Sequence, residues 1–192
     1  MSIVTAGCPP LPSDEELLGR FAAGHGVALD ELFRRYRAVS FRVAYRLLGN
    51  EADALDAVQE GFVNALTNLP GFRGQSSFKT WLLRIVTNAA LDLGRTRRRR
   101  EARATNGWAG DDPPAPPAAN GDLDRADLRH ALDRALAVLP EAQRRTFVLH
   151  VDGGLSYREV ADALGISIGT VMSRLFYARQ RLKHLLASHV LP

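Results

Sequence analysis

From Asp14 onward, apolar residues recur every three or four positions, and alternating β-branched runs are absent. Leu29, Leu32, Phe33, Tyr36, Val39, Val43 and Leu47 mark one face of a long helix. Gly49-Asn50 closes it, glycine being suited to the left-handed residue that follows a helix end. A second helix is predicted over 51–69, with Leu55, Val58, Phe62 and Leu66 as its buried stripe and Pro70-Gly71 as its stop. A third runs over 77–103. Three or four more follow over 123–138, 140–152, 156–164 and 167–187. The expected fold class is all-α, with two small helical domains joined by a flexible linker.

Residues 105–122 (TNGWAGDDPPAPPAANGD) differ in kind. Their prolines, glycines and scarce apolar side chains cannot pack a core, which makes them the linker. Its 18 residues reach roughly 60 Å when extended, comparable to about 18 base pairs of duplex at about 3.4 Å each. The expected domains are therefore 14–104 and 123–192. Residues 1–13 are expected to be disordered, and no further domain is expected after Pro192.

Composition adds little until it is divided along the chain. The net charge is +4, but residues 14–104 carry +4, 105–122 carry −3 and 123–192 carry +3. Two basic blocks around an acidic strip suit two modules that each meet a polyanion, although solvated surfaces would look the same. The lone Cys8 cannot form an internal disulfide, and no Cys/His cluster has metal-ligand spacing. Thr5-Ala6-Gly7-Cys8 resembles a lipoprotein cleavage site but lacks the basic start and apolar run of a signal. No stretch approaches 18 apolar residues, so no membrane insertion is expected, and the location expected is the cytoplasm.

Ser156-Tyr157-Arg158-Glu159 has the form of a capping box. Val160, Ala161 and Leu164 continue as a buried stripe, Gly165 supplies a turn, and Ser167 caps the next helix. That next helix buries Val171 and Leu175 and turns outward Gly169, Thr170, Ser173, Arg174, Tyr177, Arg179, Arg181 and Lys183, with no acid between Ser167 and Ala187. A helix-turn-helix with such a face suits the major groove, its first half at base edges and its basic tail along phosphates.

In the first module Asp53, Asp56 and Glu60 fall at i, i+3 and i+7, on one helix face. They form either a solvated face or a dock for a basic partner. Residues 72–88 (FRGQSSFKTWLLRIVTN) interleave aromatics with cations beside a small polar loop. Single-stranded DNA is held that way, bases against π faces and cations on the backbone. Phe78, Trp81 and Ile85 also have the spacing of core residues, whereas Lys79, Arg84 and Asn88 do not suit a core. Six arginines between Arg95 and Arg103, with one acid, make a phosphate-binding run.

Taken together, DAxDxVQExF, FRGxSSFxTWLxRIxxN, the Arg cluster, the linker and GTVMSRLFYARQRL resemble the extracytoplasmic-function sigma factors of bacterial RNA polymerase, from Asp14 to Leu186. The resemblance implies a sigma region 2 domain and a sigma region 4 domain. Asp53, Asp56, Val58, Gln59 and Glu60 would dock on the clamp coiled coil of the polymerase's largest subunit. Arg73, Gln75, Ser76, Ser77, Lys79, Thr80, Trp81, Arg84, Asn88, Asp92 and Arg95 would open and read the −10 element as single strand. Ser167, Gly169, Thr170, Ser173, Arg174, Tyr177, Arg179 and Arg181 would read the −35 duplex. The partners implied are bacterial core RNA polymerase, promoter DNA and, for many family members, an anti-sigma factor. No catalytic residue, metal, cofactor or small-molecule substrate is expected. Gly61 and Gly94 depart from the family pattern, each costing a helix ~1 kcal/mol. The alternative is a free-standing helix-turn-helix regulator, which leaves the acidic face and the aromatic–basic loop without a purpose. A Mg²⁺-dependent enzyme built on Asp53, Asp56 and Glu60 lacks a nucleophile or phosphate clamp nearby.

Overall fold

A computed structural model describes residues 11–105 and 123–190. Most of the predicted linker, Cys8 and the chain ends lie outside the described residues. The helices are α1 (Asp14–Ala22), α2 (Val27–Leu48), α3 (Glu51–Asn68), α4 (Phe78–Thr105), α5 (Leu123–Val138), α6 (Glu141–Val151), α7 (Tyr157–Leu164) and α8 (Ile168–Val190). A 3-10 turn, Leu69–Gly71, follows α3. Among the described residues there is no strand, in agreement with the all-α expectation. No described helix is long and apolar enough to cross a membrane.

Two compact units divide within α2, one ending at Ala38 and the other beginning at Val39. In the first, Ser13 and Glu16 cap α1 reciprocally, the Ser13 amide donating to the Glu16 carboxylate at 2.7 Å. Arg35 and Tyr36 of α2 then fasten Asp14. Burial and the Asp14 carboxylate together push the Tyr36 phenol well above its ordinary range.

The second unit holds all of the predicted site residues. Its core includes Val43, Leu47, Leu82, Leu83 and Val86 beside a row of small residues on α3. That row, Ala54, Ala57, Val58, Gly61 and Ala65, corrects the predicted stripe. Leu55 and Leu66 are exposed instead. The cause is the close approach of α4: a Cβ on Gly61 would lie 2.9 Å from Val86 Cγ2 and 3.0 Å from its Cα. Only small side chains fit between the two helices, so α3 turns its leucines outward. Gly94 does not break α4, which continues to Thr105.

The helices after the linker have their own core, in which Ala135, Leu136, Leu139, Ala178 and Leu182 cluster. Val148, Val160, Val171 and Leu175 are also buried. Ser156 and Glu159 form the predicted capping box at the start of α7. Gly165 ends that helix at φ +63°, a left-handed conformation in which any Cβ would be strained. The apolar spacing and turn chemistry together set the helix-turn-helix.

Candidate nucleic-acid interface

On α3 the predicted docking residues separate by burial. Asp56, Gln59 and Glu60 are exposed. Val58 is 7% exposed and belongs to the core beneath them. Its side chain packs inside the helical unit. Asp53 is half-buried and accepts from Arg97 at 2.6 Å, tying the acidic face to the Arg run. Leu55 (47% exposed) and Val63 (55%) flank the acids. The surface therefore combines charge with apolar area, of which the helical periodicity alone had assigned Leu55 to the core.

Between α3 and α4 the rings of Phe72, Phe78 and Trp81 pack together, with centroids 5.0–6.0 Å apart. Trp81 is 8% exposed and packs against both phenylalanines. The loop itself is presented outward: Arg73, Gln75 and Ser77 are exposed and Ser76 is half-buried. Ser77 Oγ accepts the Thr80 amide at 3.1 Å and so caps α4. Farther along, Arg84, Asn88, Asp92 and Arg95 form one exposed row at steps of four, four and three. Lys79 is half-buried and Thr80 fully buried.

On α8 the Ser167 hydroxyl accepts the Thr170 amide at 3.1 Å, and the Ser173 hydroxyl turns back to the Thr170 carbonyl at 3.0 Å. Gly169, Ser173, Tyr177, Arg179 and Arg181 are exposed. Thr170 and Arg174 are half-buried, and Arg174 Nη1 is buried without a partner. Met172 and Phe176, absent from the sequence-based site, are exposed one turn apart and line a cleft with Tyr157 and Arg179. Their signal was legible as two large apolar residues that alternate with the buried Val171 and Leu175.

The second unit also brings residues of the two predicted modules into contact. Thr80 Oγ1 donates to Glu159 Oε1 at 3.1 Å, and Ser77 Oγ reaches the same oxygen at 3.4 Å. Lys79 Nζ donates to the Gly154 carbonyl at 3.2 Å. Arg95 pairs with Glu141 at 2.8 Å, and Arg46 bridges Asp133 and Asp152. Burial alone would raise the Glu159 pKa, but its bonds from Ser156, Thr80 and Ser77 outweigh burial and lower it. The Arg95 guanidinium likewise holds the Glu141 carboxyl below its ordinary range. Sequence patterns could not disclose these contacts, because they join residues 46 to 106 positions apart. Among the described residues, no group of three His, Cys, Asp or Glu is arranged to hold a metal ion.

Comparison with known proteins places two family models on the chain: Sigma-70 region 2 over residues 32–100 and Sigma-70 region 4 over 129–182. The ECF RNA polymerase sigma factor SigE of Mycolicibacterium smegmatis is 37% identical over 164 residues, covering 83% of this chain. This chain spans only 62% of that protein's length. SigM of Mycobacterium tuberculosis is 37% identical over 179 residues, covering 91% of this chain and 85% of its own. The ECF RNA polymerase sigma-E factor of Escherichia coli is 32% identical, covering 88% and 92%. Among solved structures, CnrH bound to the cytosolic domain of CnrY aligns with TM-score 0.69 at 27% identity, covering 91% of this chain and 97% of that one. RpoE bound to the anti-sigma factor NepR, from Bartonella quintana, aligns with TM-score 0.61 at 30% identity, covering 82% and 97%.

Proposed function

The chain belongs to the extracytoplasmic-function family of RNA polymerase sigma factors, and from that premise we propose how its surfaces divide the work. It directs promoter-specific transcription initiation together with core RNA polymerase. It acts by binding and carries out no chemistry of its own, in the cytoplasm where promoter DNA is found. The exposed part of α3, namely Asp56, Gln59 and Glu60 with Leu55 and Val63, docks on core polymerase. Opposite charge steers the encounter, and the apolar pair is removed from water on contact.

The observation that carries the assignment on DNA is the exposed row Arg84, Asn88, Asp92 and Arg95, which begins beside the polar loop 73–77. Cations along a helix can follow one strand, while the loop receives bases taken out of the duplex. The domain from 14 to 104 thus reads the −10 element. The domain from 123 to 192 reads the −35 element with α8, through Ser173, Arg174 and the basic residues after them. The linker 105–122 allows the two to reach sites about 18 base pairs apart. Since Thr80, Lys79 and Arg95 are engaged by α6, α7 and the turn between them, these contacts must part before both elements are read. An anti-sigma factor is a further expected partner, because the solved relative RpoE is in complex with one.

Fluorescence anisotropy of labelled protein, titrated with sigma-free core polymerase at two salt concentrations, tests this assignment. Saturable submicromolar binding is expected. Folded, inhibitor-free protein that fails to bind would favour the free-standing regulator.

A further inference from the structure

The ends of α2, α3 and α4 enclose, with α6, a cleft of about 190 Å³. That is below the roughly 300–1,000 Å³ of sites for drug-sized ligands, so a small ion suits it better than a larger molecule. Arg97, Arg98 and Arg144 line it together with Asp53 and Glu101. Both carboxylates are committed to Arg97, each at 2.6 Å. Three guanidinium groups thus face two carboxylates inside the cleft. Arg98 reaches Glu141 only at 3.7 Å, and that carboxylate is shared with Arg95 at 2.8 Å.

Arg144 is the decisive residue. It is 8% exposed, and its Nε is buried without a hydrogen-bond partner. A buried guanidinium donor left unmade is costly, and native proteins rarely leave one so. Burial, then the neighbouring Arg98, lower the Arg144 pKa against a smaller rise from the charge of Glu141. The net direction is that of a cation only partly compensated by Glu141. Outside the cleft lining, Arg145 Nε and Arg174 Nη1 are also buried and without partners. A duplex backbone requires exposed cations, which Arg144 is not.

We propose that this cleft is a binding site for a small phosphate-type oxyanion, held between Arg144 on α6 and Arg98 on α4. Guanidinium forks match tetrahedral oxyanions in geometry, and the pairing is strongest where water is excluded. The two arginines come from opposite sides of the linker in sequence. Occupancy therefore stabilises the arrangement in which Glu141 of α6 is paired with Arg95 of α4 and Thr80 is held by Glu159. The site would act as a brake: the anion favours the state in which residues proposed to read DNA are engaged within the chain.

The test is thermal unfolding of the full chain with sodium phosphate, against sodium chloride at equal ionic strength. A saturable rise in Tm beyond that given by chloride is expected. Arg144→Met keeps the apolar stem, and Arg98→Gln changes a side chain that is 58% exposed. Each should weaken the phosphate response at least tenfold, while Arg37→Met, at an exposed position on α2, leaves it unchanged. Glycerol 3-phosphate tells the source: an equal response means that a phosphomonoester is accepted, and no response means free phosphate alone. A Tm that follows ionic strength regardless of anion, or a full phosphate response in both Arg98→Gln and Arg144→Met, overturns the proposal.

Discussion

Glu159 serves Thr80 and its own helix with different oxygens of one carboxylate. Oε2 accepts the Ser156 amide at 2.9 Å and closes the capping box of α7, while Oε1 accepts the Thr80 hydroxyl at 3.1 Å. The residue that starts the helix-turn-helix thus also fastens the helix proposed to read the −10 element. Thr80→Val keeps the side-chain shape and removes the donor. A hydrogen bond to a charged group contributes about 1.5–3 kcal/mol, so the ratio of closed to open molecules should fall by about tenfold or more. Distances between spin labels on α4 and α8 would report it, and an unchanged distribution would show that the ion pairs alone hold the contact.

Acid should loosen the same contact. The folded pKa values of Glu159 and Glu141 lie below their ordinary values. The stability they contribute is therefore present above the ordinary carboxylate range, about pH 4.3, and is lost as pH falls through the lower folded values. Asp152 has the opposite sign. Burial outweighs the pull of Arg46 and raises its pKa, so its contribution is favourable at low pH and fades as pH rises through the raised value. Melting curves of wild type and Glu159→Gln should converge as pH drops below about 4. A constant gap in Tm would mean that the Glu159 charge adds nothing.

Gly61→Ala gives a test of packing against propensity. Alanine favours a helix interior over glycine by ~1 kcal/mol, yet the added methyl would meet the Val86 backbone as well as its side chain. Overpacking of a core costs typically 1–3 kcal/mol, so the variant should be less stable overall. A raised Tm in thermal unfolding would show that α3 and α4 can separate without penalty.

At the α3 surface, Asp56→Arg should abolish binding to core polymerase with helicity unchanged, as read by anisotropy and circular dichroism. Val58→Ala, in the core, should instead lower stability while sparing affinity for polymerase. If Asp56→Arg bound normally, the acidic face would be only solvated.

Arg174→Ala should weaken recognition of a −35-dependent promoter by about 1–3 kcal/mol, through loss of a base or phosphate contact. Gel-shift titration of the mutant holoenzyme would measure this. Unchanged affinity would leave the role to Arg179 and Arg181.

Local interactions made much of this protein legible from its residues in order. Helix spacing, the Ser156–Glu159 box and the Gly165 turn are short-range, so the all-α class and the helix-turn-helix were determined by the sequence itself. The exposed row on α4 was legible for the same reason, since cations and Asn do not suit a core. What the tertiary structure decided depends on how near another helix comes. Periodicity marks Leu55 and Val58 alike as apolar, but the approach of Val86 to Gly61 sends Leu55 to the surface and Val58 to the interior. Packing also draws Trp81 against Phe72 and leaves it 8% exposed. The meeting of Thr80 with Glu159 and the isolation of Arg144 lie furthest from sequence. A hydrogen bond or a buried charge between distant residues leaves no period in the chain, because only packing brings its partners together.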